Sequence, residues 1–225
     1  MSYEVRLLAD HERAAGAAVA ARALRDDPMF VYLHGDDPIV RMGATYSSFR
    51  EPAPPPSSWW RRVTGSEPPA TTRRRPRVWG ALVQGHVVAS AAAAEPGACF
   101  VNLLAPASRR MPEGPQGAPG SPDRQARVLA TLAAHHCEER HWHVGPVGVE
   151  PGLQGRGVGS AVMRALCDAM DEAGEIAFLE TETAPNVVFY RRLGFEVTDH
   201  TELPGLPIWF MRRAPAEPRR GTLRS

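Results

Sequence analysis

Long hydrophobic segments and a strong net charge are both missing from this 225-residue chain. It contains no run of about 18 apolar residues, the length that a transmembrane helix requires. The N-terminus, MSYEVRLLAD, lacks the basic segment and apolar run of a secretory signal. The formal net charge of +1 gives no electrostatic reason to expect nucleic acid or an acidic membrane as a partner. We therefore expect neither membrane nor nucleic-acid binding.

Cysteine is also scarce. Cys99, Cys137 and Cys167 are odd in number and share no metal-type spacing, which predicts a reduced, cytoplasmic setting. The run HHCEERHWH carries five ligand-type side chains that could suit zinc. Its first three residues are consecutive on a predicted helix and so point in different directions, while His141 and His143 lie on a predicted strand. We therefore expect no metal site in this run.

Proline and glycine are abundant instead, at 22 and 20 residues, and they are clustered. Two proline-rich stretches without hydrophobic periodicity, near residues 51–76 and 107–122, are predicted to be flexible insertions, and residues 214–225 a disordered tail. Long surface insertions cost little stability, so they do not have to separate domains. We expect a single domain over residues 1–213.

Between the insertions, strand and helix patterns alternate. Asp10 is predicted to cap a helix that runs to about Leu24, further helices are predicted over 38–50 and from Ser121, and a hairpin is predicted at Gln84-Gly85. Further strands are predicted in HWHVGPVGVE, EIAFLETE, EVTDH and PIWFMRR, with helices after the first two. The order predicts an α/β (or α+β) domain with one mixed sheet and helices on its faces.

The segment GLQGRGVGSAVMRAL places glycines at 152, 155, 157 and 159 directly before an amphipathic helix pattern. The first N–H groups of a helix are unpaired and favour anions, and glycines let the backbone approach closely, which predicts a phosphate or pyrophosphate guest. The ATP-binding phosphate loop requires Gly-Lys-Ser/Thr, and no lysine follows these glycines. The dinucleotide fingerprint requires G-x-G-x-x-G, whereas this segment reads G-x-G-x-G.

In its context, VGVEPGLQGRGVGSAVM, the same segment resembles the coenzyme A signature of the Gcn5-related N-acetyltransferase (GNAT) superfamily. Gln154, Gly157 and Gly159 match the core pattern. A second superfamily motif, NVVFYRRLGF, follows at the expected distance. Within the superfamily, the segments between residues 142 and 212 look most like the puromycin N-acetyltransferases. The resemblance implies the GNAT fold, a mixed and mostly antiparallel sheet whose splayed central strands form an acetyl-CoA cleft.

The resemblance also implies which residues hold acetyl-CoA. Backbone groups of the HWHVGPVGV strand would pair with the pantetheine amides, and N–H groups of the glycine turn would hold the pyrophosphate. Pro146 suits a strand that is bulged at this point. The predicted cofactor-binding residues are Val147, Val149, Gln154, Gly155, Arg156, Gly157, Val158, Gly159, Ser160, Asn186, Phe189 and Tyr190.

Two residues are predicted to be catalytic. Tyr190 matches the superfamily's general acid, a phenol that protonates the departing thiolate. Glu180, in FLETET, is the predicted carboxylate base, although a structural carboxylate is an equal interpretation. Glu182 shares its side of the strand. Glu182, His141, His143 or a water stay open as alternative bases.

The resemblance implies an N-acetyltransferase that moves the acetyl group of acetyl-CoA to an amine of a small molecule. An antibiotic-like or other xenobiotic amine is the specific expectation. A protein or peptide N-acetyltransferase and a non-catalytic acyl-CoA sensor stay open as alternatives. Tyr190, Asn186 and the intact glycine turn favour catalysis over sensing. The sequence specifies neither the acceptor nor the oligomeric state.

Overall fold

A computed structural model describes residues 2–50, 75–99, 101 and 117–216. The first predicted insertion up to residue 74, the second up to residue 116 and the tail from residue 217 lie outside the described residues. The strands are β1 (Glu4–Leu7), β2 (Arg77–Val83), β3 (His86–Ala94), β4 (His141–Val149), β5 (Ile176–Thr181), β6 (Glu196–Leu203) and β7 (Leu206–Arg213). The helices are α1 (Arg13–Ala23), α2 (Pro28–His34), α3 (Pro38–Arg50), α4 (Pro122–Ala134), α5 (Val158–Ala173) and α6 (Ala184–Arg191).

The seven strands form one sheet in the order β1-β2-β3-β4-β5-β7-β6. Every neighbouring pair is antiparallel except β4 and β5, which run parallel. This confirms the predicted mixed, mostly antiparallel sheet. In the part of the chain that the structure describes, no helix is long and apolar enough to cross a bilayer.

The two central strands separate. β4 and β5 pair only over His141–His143, where His143 lies opposite Phe178. Beyond that point β4 continues to Val149 along β3, while β5 pairs with β7. The separation leaves one edge of β4 without a neighbouring strand and opens the predicted cleft between β4 and β5.

Each face of the sheet carries its own core. The amphipathic helix α5 covers one face, where Met163, Leu166 and Met170 are fully buried. On the other face, side chains of α2 and α4 pack against Phe178 and Phe210. Helix α1 lies over β3 and β4 on that side, and it comes so close at Gly148 that a Cβ there would lie 2.9 Å from the Ala20 Cα.

Several local predictions are confirmed. Helix α3 spans 38–50 as expected, and β2 and β3 form the hairpin around Gln84-Gly85. The Ser121 hydroxyl caps α4 by accepting the Arg124 N–H at 3.3 Å. Helix α5 ends at Gly174, where the left-handed backbone favours glycine.

The start of the first helix is a correction. Asp10 begins a short 3-10 turn, and α1 starts only at Arg13. The Glu12 carboxylate, rather than the Asp10 side chain, accepts the free backbone N–H of Ala9, at 2.8 Å. Glu12 is held there because Arg6 of β1 donates two hydrogen bonds to it.

Candidate active site

The glycine turn exposes the start of α5. Gly155 and Gly157 have φ values of 72° and 82°, in the left-handed region where a side chain is strained. Gly157 is the N-cap residue of α5, and no side chain satisfies the free N–H groups of the first turn. A Cβ on either glycine would meet nothing within 4 Å, so the concave side of the turn is open. This geometry fits a phosphate group of coenzyme A.

Two contacts fix the turn against the sheet. The Gln154 side chain donates a hydrogen bond of 3.2 Å to the carbonyl of Val149, the last residue of β4. Gly159, in the first turn of α5, lies so close to β4 that its Cβ would be 3.0 Å from Val149 Cγ2 and 4.0 Å from the Phe189 ring. The glycine turn, the end of β4 and helix α6 therefore meet at one place.

The free edge of β4 leads into this turn. On one side, Val147 pairs with Ala91 and Val149 with Ala89 of β3. On the side facing β5, the ladder stops at His143, which leaves backbone groups free for a ligand. The register of β3 and β4 shifts beside Pro146, which confirms the predicted bulge. Extended pantetheine fits this edge as a neighbouring strand would.

Helix α6 brings the predicted acid into the site. The Tyr190 ring is 8% exposed and packs edge-on against Phe189 and Phe195. Burial raises the pKa of Tyr190, and the negative charges of Glu182 and Asp27 raise it further. The phenol therefore stays protonated at neutral pH. Asn186 lies one helical turn earlier on α6, as predicted.

Three carboxylates act electrostatically on Tyr190. Glu180 and Glu182 lie at the end of β5, and Asp27 is the N-cap of α2, where it accepts the Met29 N–H at 2.9 Å. Burial raises the pKa of Glu182 well above its usual value, and the charges of Asp27 and Glu180 add to this. Burial also raises the pKa of Asp27 to about 6.

Asp27 and helix α2 were missed at the level of sequence. The local signal is the pair Asp27-Pro28, an N-cap residue followed by proline at the first helical position. Nothing in that signal connects Asp27 to Glu182, because the two residues are far apart in the sequence. Packing of α2 against the sheet creates this part of the site.

Glu180 makes a contact of its own. Its Oε1 lies 3.2 Å from Nε2 of His143, and both side chains are more than four-fifths buried. Burial would raise the pKa of Glu180, but attraction to His143 holds it below the usual value. The predicted base thus shares a hydrogen bond with another predicted candidate.

A group of ligand-type side chains lies behind His143. Cys99, His136, His141 and His143 have their ligand atoms within 4.8 Å of one another and could hold a metal ion. Burial would raise the pKa of Cys99, but the nearby imidazoles, chiefly His143, lower it to about 3. His135, His136 and Cys137 do point in different directions, but His136 meets His141 and His143 of β4, which the sequence pattern does not predict. Helix α4 ends at Ala134, so His136 lies in the segment after the helix, and its direction is not set by helical periodicity.

Comparisons with known proteins agree with this geometry. A family model described as the acetyltransferase (GNAT) family matches residues 42–195. A Corynebacterium glutamicum structure described as histone acetyltransferase HPA2 and related acetyltransferase is similar at 17% identity and a TM-score of 0.62, covering 97% of this chain and 99% of that one.

Two further structures share the fold. A polyamine N-acetyltransferase from Drosophila melanogaster is 16% identical with a TM-score of 0.59, covering 95% of this chain and all of its own. A PaiA N-acetyltransferase from Thermoplasma acidophilum, solved with coenzyme A, is 12% identical with a TM-score of 0.53, covering 95% and 99% of the two chains.

Proposed function

The chain belongs to the acetyltransferase (GNAT) family, and from this we propose that it transfers the acetyl group of acetyl-CoA to an amine of a small molecule. The observation that carries the proposal is the meeting of the open glycine turn, the free edge of β4 and the carboxylates around Tyr190. The first two features suit coenzyme A, and the third suits an amine.

The cofactor residues act mainly through their backbone. N–H groups from Gln154 to Ser160 hold the pyrophosphate, and the exposed Arg156 adds positive charge. Val147 and Val149 bind the pantetheine amides, and a backbone N–H of β4 stabilises the oxyanion that develops on the thioester. Val158 and Phe189 shape the site from α5 and α6.

Tyr190 is the proton donor in this proposal. Its phenol is buried and stays protonated at neutral pH, so its O–H remains available to donate a proton to the thiolate as the thioester breaks. Asn186, one turn earlier on α6, would bond the pantetheine or adenylate part of the cofactor. The same helix thus orients both the cofactor and the acid.

Glu182 is the better placed proton acceptor of the two carboxylates. Glu180, the base predicted from the sequence, is already engaged by His143, so its Oε1 is occupied. Glu182 does not contact His143, and it interacts electrostatically with Asp27 and Tyr190. A carboxylate with an elevated pKa accepts a proton more readily near neutral pH. In this scheme Glu180 attracts the acceptor, and Glu182 takes its proton.

The charge of the site indicates the acceptor class. Asp27, Glu180 and Glu182 crowd three carboxyl groups into a largely buried space, and each raises the pKa of Tyr190. A cationic amine relieves this repulsion when it binds. Resemblance of residues 142–212 to the puromycin N-acetyltransferases supports an antibiotic or other xenobiotic amine. A peptide amine is the alternative acceptor.

A thiol-release assay with acetyl-CoA tests the proposal. The panel contains puromycin, an aminoglycoside, spermidine, and peptides with free N-termini or lysines. We expect at least one small cationic amine to exceed every peptide by tenfold or more in kcat/KM. Turnover confined to peptides would establish the alternative acceptor. Calorimetric binding of acetyl-CoA without turnover of any amine would instead indicate an acyl-CoA sensor.

A further inference from the structure

Four potential metal ligands converge from three separate parts of the chain. Cys99 follows β3, His136 follows α4, and His141 and His143 alternate along β4. Cys99 Sγ lies 3.1 Å from His136 Nε2 and 3.0 Å from His143 Nδ1. His136 Nε2 also lies 3.1 Å from His141 Nε2. The cluster is buried, with Cys99 2% and His141 1% exposed.

Neighbouring groups fix where the imidazole protons are. His141 Nδ1 lies 2.6 Å from the carbonyl oxygen of Glu139, which can only accept, so Nδ1 carries the proton and Nε2 faces inward with a lone pair. His143 Nε2 donates to the Glu180 carboxylate, and its other ring nitrogen, Nδ1, faces the Cys99 sulfur. The ligand atoms of all four side chains thus face one buried space, where a single cation can be bound by all of them.

We propose that Cys99, His136, His141 and His143 bind a zinc ion. One thiolate and three imidazoles are a zinc donor set, and the ligand atoms of a tetrahedral zinc site lie about 3.3–3.6 Å apart. In this cluster the shortest distances between ligand atoms are 3.0–3.1 Å and all ligand atoms lie within 4.8 Å of one another, so the observed distances span the spacing of a zinc site. The charges of a Zn²⁺ ion, one thiolate and the Glu180 carboxylate sum to zero, which lowers the desolvation penalty of burying the metal site.

The outer contacts match those of metal-ligating histidines. Such histidines donate their second N–H to a carboxylate or a backbone carbonyl, as His143 does to Glu180 and His141 to Glu139. All four positions are filled by protein, so the site is a closed, structural one. It ties the end of α4 and the segment after β3 to β4. It also fixes the imidazole that holds Glu180.

Metal content of the purified protein tests the site. After expression with zinc and gel filtration, we expect about one zinc per chain by mass spectrometry. Cys99→Ala and His141→Ala should each lower this at least tenfold. Cys137→Ser and His135→Gln are matched controls and should keep the zinc. Cys137 lies outside the cluster, and His135, adjacent to His136, bonds Asp199 instead.

Cobalt substitution keeps the test independent of whether the variants fold. Wild-type protein stripped with a chelator and titrated with Co²⁺ should develop tetrahedral d–d bands and a thiolate-to-cobalt charge-transfer band, saturating at one equivalent. Zinc should displace the cobalt and raise the melting temperature by several degrees. Wild-type protein without stoichiometric zinc or cobalt would overturn the proposal, as would loss of zinc in the Cys137→Ser or His135→Gln control.

Discussion

The His143 imidazole donates to the Glu180 carboxylate across a gap of 3.2 Å, directly where β4 and β5 stop pairing. His143 is the last residue of β4 in the parallel ladder, and Glu180 lies two residues beyond its partner Phe178. A side-chain contact thus replaces the backbone ladder at the mouth of the cleft. It holds the Glu180 carboxylate that, in the proposed function, attracts the amine.

Removing the charge of Glu180 should weaken binding of the amine. We expect Glu180→Gln to raise KM for a cationic acceptor about tenfold while KM for acetyl-CoA stays unchanged, because a hydrogen bond to a charged group contributes more than a neutral one. Steady-state kinetics with each substrate varied separately measure both constants. Glu139→Gln is the control, since that exposed carboxylate pairs with Arg212. An equal change in both variants would contradict the assignment.

Tyr190→Phe should remove the proton donor and keep the ring packing. A positioned general acid contributes roughly 10²–10⁴-fold, so kcat should fall within that range while KM for acetyl-CoA stays nearly constant. Tyr46→Phe, on α3, is the matched control and should keep full activity. If Tyr190→Phe keeps wild-type turnover with chemistry rate-limiting, another group carries the proton. A loss of acetyl-CoA affinity would indicate a positioning role.

The acid limb of the pH profile should move when Asp27 is neutralised. Glu182 accepts a proton only when ionised, so kcat/KM rises with pH through its elevated pKa. Burial raises that pKa first, and the neighbouring carboxylates Asp27 and Glu180 raise it further. Asp27→Asn keeps a helix cap and removes one negative charge, so the pKa of Glu182 falls and the acid limb should shift to lower pH.

Asp26→Asn is the control for this pH experiment, because Asp26 is exposed and its carboxylate pairs with Arg25 and Arg41 instead. Tyr190, on α6, also interacts electrostatically with Glu182, and it stays protonated throughout the acid limb. An acid limb that stays in place in Asp27→Asn would show that Glu182 is not the group whose ionisation controls turnover.

Phosphate binding by the glycine turn can be tested by comparing two glycine substitutions that introduce similar backbone strain. Gly157 and Gly205 have φ values of 82° and 77°, and a Cβ at either position meets nothing within 4 Å. A side chain in this region costs roughly 1–2 kcal/mol at each site. Gly157→Val should also lower acetyl-CoA affinity at least tenfold, measured by calorimetry, because the turn can no longer approach the phosphates. Equal affinity in folded Gly157→Val and Gly205→Val would show that the turn holds no phosphate.

Two glycine-to-alanine changes should have opposite effects on stability. At Gly148 the new Cβ would lie 2.9 Å from the Ala20 Cα, so α1 must shift, and we expect a loss of about 1–3 kcal/mol. At Gly43, within α3, the Cβ meets nothing within 4 Å, so the helix should gain about 0.5–1 kcal/mol. Urea unfolding measures both. Destabilisation by Gly43→Ala would contradict the packing argument.

Local sequence determined a large part of this protein. The glycine turn before α5, the cap of α4 at Ser121 and the hairpin at Gln84-Gly85 all follow from residues within one or two turns of chain, where sequence position and spatial position coincide. The bulge beside Pro146 is local for the same reason, since proline lacks the N–H that a ladder requires. The resemblance to the superfamily motifs supplied the predicted cofactor residues and the predicted acid, Tyr190.

Tertiary structure decided what distant segments bring together. Asp27 reaches Glu182 only because α2 packs on the sheet, and Cys99 reaches His136 and His143 only because the segment after β3 returns beside β4. The histidine run by itself predicts no metal site, because its pattern places His136 on a helix and His141 and His143 on a strand, whereas the turn after α4 brings His136 to both. Hydrophobic periodicity predicts which face of a helix or strand a residue occupies, but tertiary packing determines which distant residues that face contacts.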